Sequence, residues 1–555
     1  MLPCVERICN KVFVADGGGE EVGSAVTSEL VTSLLARIEE LERRQAQLER
    51  ERDEYRKLYL LAREEIEQLK RGLLGQKAHR APKDDSQLAL FLLELALGSD
   101  SGGGDDDRRQ RVAEYERRQP VRKPLPEHLP RVRVELVPPE VEREGLDAFE
   151  QIGSETREVI ERRPASVVVV EVVKKKFVHK AERQAPSTQV LVAETPELPI
   201  PRGSAGPGML ADTIVKRWQD HLPLHRMENS YRREGIDLSR STVCGWHMEL
   251  ADLAEPLIDA MHADALKQPY VCVDATGVLV QDRERCRNGH FWVLVAPPKH
   301  VLFQFSEKHD SAAVDRLLPS YRGTVVADAH VVYDHIYGND KANEAGCWSH
   351  TRKYFLDALR IDPVLVREPF QYIQSLFAIE RGIQRRPPPE RVQLRREKSG
   401  PVVEAFFDWC DRHQGYALDQ SPLDAAIRYA TNQREALTRF VGDARLPMHN
   451  NISERELRRE AVGRKNWIFV GSADGARANT TFVSLLASCA MHKIEPWAYL
   501  RDLFCLLPSW PAHRVLDLAP ASWTLTLQDP QVQQRLDANI FRRATLLPEP
   551  EHAAA

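Results

Sequence analysis

The stretch Tyr270-Val-Cys-Val-Asp-Ala-Thr-Gly-Val-Leu-Val-Gln281 sets a carboxylate, Asp274, in the middle of an apolar, β-branched run. Such a run reads as a strand buried on both faces. A charge there is costly unless it is paired or bound to a metal. Taken alone, the stretch also admits a turn at Asp274 ahead of Gly277, followed by a hairpin, because Asp and Gly are common turn residues. The residues that follow bear on the choice. His290 to Ala296 and Val301 to Ser306 read as two more strands, and Asp310 caps a short helix. Gly323-Thr-Val-Val-Ala-Asp328 reads as a fourth strand that ends on an Asp, and Ala345-Gly-Cys-Trp348 offers a fifth.

Three hairpin-like strands, a helix, a fourth strand and further α/β is the order of a ribonuclease-H-like domain. That fold sets one Asp on the first strand and another at the end of the fourth, its neighbour in the sheet. Asp274 and Asp328 fall at these places. A third carboxylate must come from a later helix. Asn450-Asn-Ile-Ser-Glu-Arg-Glu-Leu-Arg458 puts Glu454 in a first helical turn. The same residues also read as a reciprocal N-cap pairing of Asn451 with Glu454. Grouping the three has a chemical reason. Two Mg²⁺ ions about 3.5–4 Å apart activate a water or a DNA 3′-hydroxyl and stabilise the leaving oxygen of a phosphodiester. Mg²⁺ is hard and takes oxygen ligands, and three carboxylates in one pocket repel each other without a cation. A divalent cation therefore makes Asp274 tolerable within a strand.

The bulk properties fit a large intracellular protein. At 555 residues the chain holds roughly three or four domains of about 150 residues each. It is 42% hydrophobic and 29% charged, enough for a sizeable core. The net charge of -5 sums a heavy load of both signs, so any nucleic-acid surface must be local. Apolar runs such as Ser166 to Val170 are too short to cross a bilayer, and no hydrophobic signal core opens the chain. The nine cysteines are scattered with no CxxC pair. That usage predicts reduced thiols in a cytoplasm rather than a disulfide framework.

The fold expected is multidomain, α and α/β. Residues 1–24 read as disordered. A heptad seam of Leu34, Ile38, Leu41, Gln45, Leu48, Arg52, Tyr55, Tyr59, Ala62, Ile66, Leu69 and Leu73 predicts a coiled coil over 25–77, and hence pairing of protomers. A long helix packed on its own protein is the alternative. Residues 78–121 read as a linker around Gly102-Gly-Gly-Asp-Asp-Asp107. Residues 122–200 read as a small β-rich module of short strands, opening on the basic, Pro-rich Arg122 to Arg131. Over 201–265, helices from Leu210 to Asp220 and Leu224 to Arg233 precede a Gly235 turn and a third helix capped by Ser239. This is a helix-turn-helix pattern, with Arg240, Ser241 and Thr242 opening the recognition helix; an ordinary helical hairpin gives the same pattern. The catalytic core then spans 266–356 and 447–508, around a helical insertion at 357–446. Residues 509–555 read as a peripheral tail.

At this point the chain resembles the transposases of the insertion-sequence-66 family, over about residues 30–510. The carrying stretches are Arg122 to Arg131, His221-Leu-Pro-Leu-His-Arg226, Gly346-Cys-Trp-Ser-His-Thr-Arg352, Asn450-Asn-Ile-Ser-Glu-Arg455 and Gly463-Arg-Lys-Asn-Trp-Ile-Phe-Val-Gly-Ser472. The resemblance implies a zipper-like N-terminus, a small zinc module, a helix-turn-helix and a DDE catalytic domain interrupted by helices. It implies Asp274, Asp328 and Glu454 as the catalytic and metal-holding triad, with Mg²⁺ or Mn²⁺ as cofactor, ahead of the nearby Asp334 and Glu456. It further implies DNA partners, namely terminal inverted repeats and a target, and small accessory proteins from the same element. The chain departs from the family in several places. The two cysteine pairs of the zinc module are missing, with His179 and Glu182 where the second is expected. One imidazole does not hold tetrahedral zinc, so zinc is not expected in this module. Ala275 stands where the family often has Glu, His449 where an Asp is usual, and Ala329-His330 replaces Gly-Tyr.

Two basic pairs, Arg352 with Lys353 and Arg464 with Lys465, are candidate phosphate contacts; a solvated basic surface explains them equally. Cys347 and His350, spaced C-x-x-H, form half of a metal site with no second half visible, and read better as a core Cys and a nearby His. Trp467 and Phe469 read as packing against the sheet rather than stacking on bases. Two other readings stand beside an active transposase. One is a catalytically decayed relative that only binds DNA. The other is a hydrolase with an Asp/Glu acid–base pair, against which the helix-turn-helix and the basic stretches argue.

Overall fold

The computed structural model describes residues 22–74 and 125–546, apart from 128, 164–165, 181–188, 195–196, 283–284 and 339. The linker around Gly102, Arg122 to Pro124 and Glu182 therefore lie outside the described residues. The chain divides into two compact units.

One unit holds the N-terminal helix, Val22–Leu74, with residues 355–368 and 413–426. The helix is 53 residues long. Its seam residues Leu34, Ile38, Leu41, Leu48, Tyr55 and Tyr59 are all exposed in the single chain. Near its C-terminal half, Arg56 bonds Asp362 at 3.0 Å and Arg63 donates to the Arg360 carbonyl at 2.6 Å.

The second unit contains two sheets. The smaller comprises β1 (Arg131–Leu136), β2 (Phe149–Arg163), β3 (Ser166–His179) and β4 (Val190–Val192). β3 is its centre, parallel to β1 and antiparallel to β2 and β4. The short strands expected here are instead long, with 15 residues in β2 and 14 in β3. The reason is that β3 is buried on both faces. Val167 and Val169 join the main core, while Val168, Val170 and Val172 pack on Ile540, Phe541 and Ala544. The tail expected to be peripheral thus supplies the cover for one sheet face, through the helix Ile540–Leu546. His179 spends its ring in an edge contact with Phe149, centroids 5.0 Å apart.

Glu161 on β2 joins this sheet to the helix Pro207–Ile214, which has no capping side chain of its own. Glu161 is wholly buried, and its Oε1 accepts from the amides of Met209 at 2.6 Å and Arg162 at 2.8 Å. The approach needs Gly206: a Cβ there would sit 2.0 Å from Glu161 Oε2. Burial pushes the carboxyl up to about 8 against the pull of those amides. A carboxyl raised in the fold stays protonated there while the unfolded chain ionises. Stability therefore falls as pH rises from about 4.5 to about 8, by an amount on the order of a few kcal/mol. Glu161→Gln keeps the acceptor without the titration. Its melting temperature is expected to change less than the native protein's between about pH 6 and pH 8.5; equal slopes in a thermal-melt series would refute this.

The helix Leu224–Arg233, Gly235 at φ +77° and the helix Arg240–Ala265 follow in the expected order. Ser239 caps the latter, accepting from the Thr242 amide at 3.2 Å. The preceding helix starts at Pro207 rather than Leu210 and passes after Ile214 into a π-helical turn, Val215–Gln219.

The larger sheet has the order β7-β6-β5-β8-β9. β5 (Tyr270–Val280), β6 (Arg287–Ala296) and β7 (His300–Ser306) are antiparallel. β8 (Thr324–Val326) and β9 (Asn343–Ala345) run parallel to β5, and β10 (Phe469–Val470) pairs with its far end. The helix Ala473–His492 covers this sheet, with Ser484 and Ser488 accepting the β7 amides of Phe303 and Val301. Two boundaries differ from expectation. The fifth strand ends at Ala345 and a helix begins at Trp348, because Trp348 is drawn into the core and its Nε1 donates to the Leu437 carbonyl. The fourth strand ends at Val326, two residues before Asp328.

Candidate active site

The turn reading of Asp274 fails: it lies in mid-β5, paired with Val293 of β6. On its other side β5 is in register with β8, Cys272 opposite Val326. Two residues further along both chains stand Asp274 and Asp328. Asp274 is still within β5, Asp328 lies past the end of β8, and the charge of Asp328 acts on Asp274.

Glu454 reaches this point from the helix Asn451–Trp467. The capping pair expected between Asn451 and Glu454 does not form. The N-cap residue is Asn450 and no side chain caps the helix. Asn450 has another task. It is fully buried, and its Nδ2 donates to the Val273 carbonyl at 2.7 Å, one residue before Asp274. Its backbone N–H points at Cys347 Sγ, 3.1 Å away. Trp348 N–H donates to the Met448 carbonyl, and Ser349 Oγ to Asn451 Oδ1. The Gly346-to-Arg352 and Asn450-to-Arg455 stretches are thus one interlocked structure. Gly346 is required where the Arg434–Thr438 helix crosses, since a Cβ would meet the Leu437 side chain at 3.0 Å.

The electrostatics follow from this packing. Burial raises the Asp274 carboxyl to about 7, and the charges of Asp328 and Glu454 push in the same direction against one amide bond from Ala275. Tyr333, fully buried, has its hydroxyl pushed far up by burial and by the same two aspartates. Around Asp328 stands a wall of rings. His309 stacks on Trp292 at 4.7 Å and meets His330 edge-on at 4.6 Å. Burial lowers the His309 pKa, so the imidazole is neutral near pH 7. His330 was visible in the sequence only as a departure; His309 had no sequence signal.

The remaining candidates separate. Arg464 is not a free phosphate ligand: it donates to Thr276 Oγ1 at 3.1 Å and to the Gly277 carbonyl, tying its helix to β5. Lys465 is exposed. Arg352 lies over the Phe370 ring, half-buried, while Lys353 is exposed. Arg240 pairs with Glu228 at 3.0 Å, and Ser241 and Thr242 are exposed beside it. Trp467 packs with Val278, Val280 and Phe291 as expected. Asp334 is exposed and Glu456 is taken by Arg459 at 2.9 Å.

Carboxylate oxygens fit Mg²⁺ or Mn²⁺ chemically, and Asp274, raised first by burial and then by the charges of Asp328 and Glu454, is a group a cation would favour in its ionised form. Sequence reasoning set Cys347 and His350 aside. The fold brings Glu454 to them: the three donor atoms lie within 4.8 Å of one another, with His350 Nε2 at 3.8 Å from Glu454 Oε1. Asp274, Asp328 and Glu454 do not meet within that limit as a set of three.

Asn450 carries a prediction. Asn450→Leu leaves the buried Val273 carbonyl unpaired at a cost of about 1–3 kcal/mol, and frees the helix start that carries Glu454. The urea midpoint should fall accordingly. DNA cleavage should fall by about tenfold or more even where the variant is fully folded, since misplacing one group by about 1 Å has such effects.

Comparison with known proteins gives a consistent picture. A family model described as "Transposase IS66 family" matches residues 202–478, and one described as "Transposase C of IS166 homeodomain" matches residues 62–134. The second covers the stretch that the sequence reading assigns to a linker, most of it outside the described residues. Among curated proteins, the uncharacterized protein y4hP of Sinorhizobium fredii (strain NBRC 101917 / NGR234) is 28% identical, over 82% of this chain and 88% of its own length. The uncharacterized protein y4jD of the same strain is 26% identical, over 86% of this chain and 98% of its own length.

Proposed function

Because the chain belongs to the IS66 family of transposases, we propose that it is a DNA transposase cutting and joining strands at the ends of an insertion sequence. In this reading the larger sheet is a ribonuclease-H-like catalytic core, and Asp274, Asp328 and Glu454 hold divalent cations. The observation that carries the reading is the shared register of β5 and β8. It brings together the strand that carries Asp274 and the strand that leads into Asp328, and the charges of Asp328 and Glu454 both act on Asp274, which supports the reading. Bound Mg²⁺ or Mn²⁺ would supply Lewis-acid stabilisation of the attacking and leaving oxygens. The chain's own groups fix the carboxylates: Asn450 anchors the Glu454 helix to β5, and Arg464 ties its far end to the same strand. The Arg240–Ala265 helix offers Ser241 and Thr242 to DNA, and Lys353 and Lys465 are the exposed cations of the two candidate basic pairs. The exposed heptad seam of the N-terminal helix is the surface for pairing two protomers, and so two element ends.

The test is a labelled duplex carrying the element's own terminal repeat, incubated with native protein, the element's accessory proteins and Mg²⁺ or Mn²⁺. Nicking at the element boundary is expected, lost with chelator and in Asp328→Asn. Sequence-specific binding without cleavage in either metal would leave a DNA-binding protein in place of an enzyme.

A further inference from the structure

Outside the paired aspartates, the molecule brings together one more set of metal-competent donors. Among the described residues, Cys347, His350 and Glu454 are the set of three whose ligand atoms all lie within 4.8 Å of one another. We propose that Cys347, His350 and Glu454 form a second cation site that takes a borderline divalent ion of the zinc class. This rests on the reading of Glu454 as part of the catalytic centre, and would make Glu454 the link between two chemically different cation sites.

The donor set decides the class of ion. Mg²⁺ takes oxygens and is poorly served by sulfur and imidazole. Zn²⁺ and Co²⁺ accept sulfur, nitrogen and oxygen in one tetrahedral shell, at about 2.3 Å for sulfur and about 2.0–2.2 Å for the others. The His350 Nε2 to Glu454 Oε1 spacing of 3.8 Å is close to the edge of such a tetrahedron. Three protein ligands leave a fourth position open, as in sites that bind a reacting oxygen rather than staple a fold.

Two further observations point to a ligand here. Among the described residues His350 Nδ1 is buried and has no hydrogen-bond partner, and Nε2 faces the Glu454 carboxylate at 3.8 Å, beyond hydrogen-bond distance. A cation taken by either nitrogen therefore displaces no existing bond. Cys347 Sγ is fully buried just before the helix Trp348–Ile361, and the Asn450 N–H points at it from 3.1 Å. Burial raises the Cys347 thiol to about 11, so without an ion it keeps its proton, while the N–H aimed at the sulfur pulls the other way. Coordination would replace the thiol proton, which leaves to solvent. The same Asn450 also bonds the strand beside Asp274, so filling the second site would set the position of the first.

The test is cobalt substitution in the full-length protein. Co²⁺ bound by a thiolate gives a sulfur-to-metal charge-transfer band in the near ultraviolet and tetrahedral visible bands. The native protein is expected to bind about one Co²⁺ tightly per chain with both signatures, displaced by Zn²⁺ but not by Mg²⁺. Cys347→Ser should lose the charge-transfer band, His350→Gln should weaken binding at least about tenfold, and Asp274→Asn should keep both. Circular dichroism establishes that each variant is folded; should Cys347→Ser not fold, His350→Gln decides alone. Absence of the band in native protein, or the same band and affinity in folded variants, would overturn the proposal. The readout requires no turnover. Cobalt binding without DNA cleavage would sink only the transposase reading, and cleavage in Mg²⁺ without cobalt binding only this one.

Discussion

Asp274→Asn is expected to abolish metal-dependent cleavage of a terminal-repeat duplex, by about a thousandfold or more, while making the metal-free protein more stable. The first effect is the loss of several kcal/mol of charge stabilisation when a shared carboxylate ligand goes. The second follows from where Asp274 sits. Burial, with the charges of Asp328 and Glu454 adding to it, raises the carboxyl from 3.8 to about 7. A carboxyl raised in the fold binds its proton more tightly there than in the unfolded chain. The metal-free native protein therefore loses stability as pH rises from about 4 to about 7, and carries the full cost above that. Asn has nearly the same shape and no charge. At about pH 8 without metal the variant should be more stable by on the order of 2–3 kcal/mol. Mg²⁺ should raise the native melting temperature and leave the variant's nearly unchanged. A metal-free variant that melts below native protein at that pH, or one that still nicks, would show that Asp274 does not hold the cation.

The largest loss of stability is expected at Arg395, remote from the carboxylates. Its guanidinium is buried and makes two bonds to Glu380, at 2.8 and 2.7 Å. It also donates to the carbonyls of Phe440, Asp443 and Leu446 at 2.8, 2.8 and 3.1 Å. Those carbonyls belong to the turn through which the chain leaves the inserted helices and returns to Asn450 and Glu454. Arg395→Leu strands a largely covered carboxylate and three carbonyls, so a loss of about 3–5 kcal/mol is expected in urea unfolding. Trypsin should cut after Arg439 or Arg445 faster than in the native protein, and cleavage activity should fall because the Glu454 helix loses its approach. Adding Glu380→Leu should recover part of the stability, since the unpaired charge accounts for much of the cost. A double variant no better than the single would mean the carbonyls, not the ion pair, dominate.

The sequence by itself determined the strand run and its charged exception. In Tyr270 to Val280 the β-branched run marked the strand, and the order of three strands, a helix and a fourth strand implied that the first and fourth strands are neighbours, as they are. Ser239 and Asp310 were legible as caps because capping is local, requiring only a short polar side chain and the next turn of backbone. The long N-terminal helix was legible for the same reason, from a period along one segment.

Only the tertiary structure decided what depends on contacts between distant segments. The sequence offered Asn451 as a local capping residue, yet it is its neighbour Asn450 that matters, donating to a carbonyl 177 residues away; nothing in the adjoining residues encodes that partner. Arg464 looked like a phosphate ligand and is spent on β5. The C-terminal tail read as peripheral, yet its last described helix covers the second face of β3. Cys347 and His350 read as half a site because their third donor, Glu454, is about a hundred residues further on. Propensity and periodicity act over a few residues, so they specify elements and caps. The pairing of buried polar groups is settled only when the elements pack, because each must find whichever donor or acceptor the fold brings near.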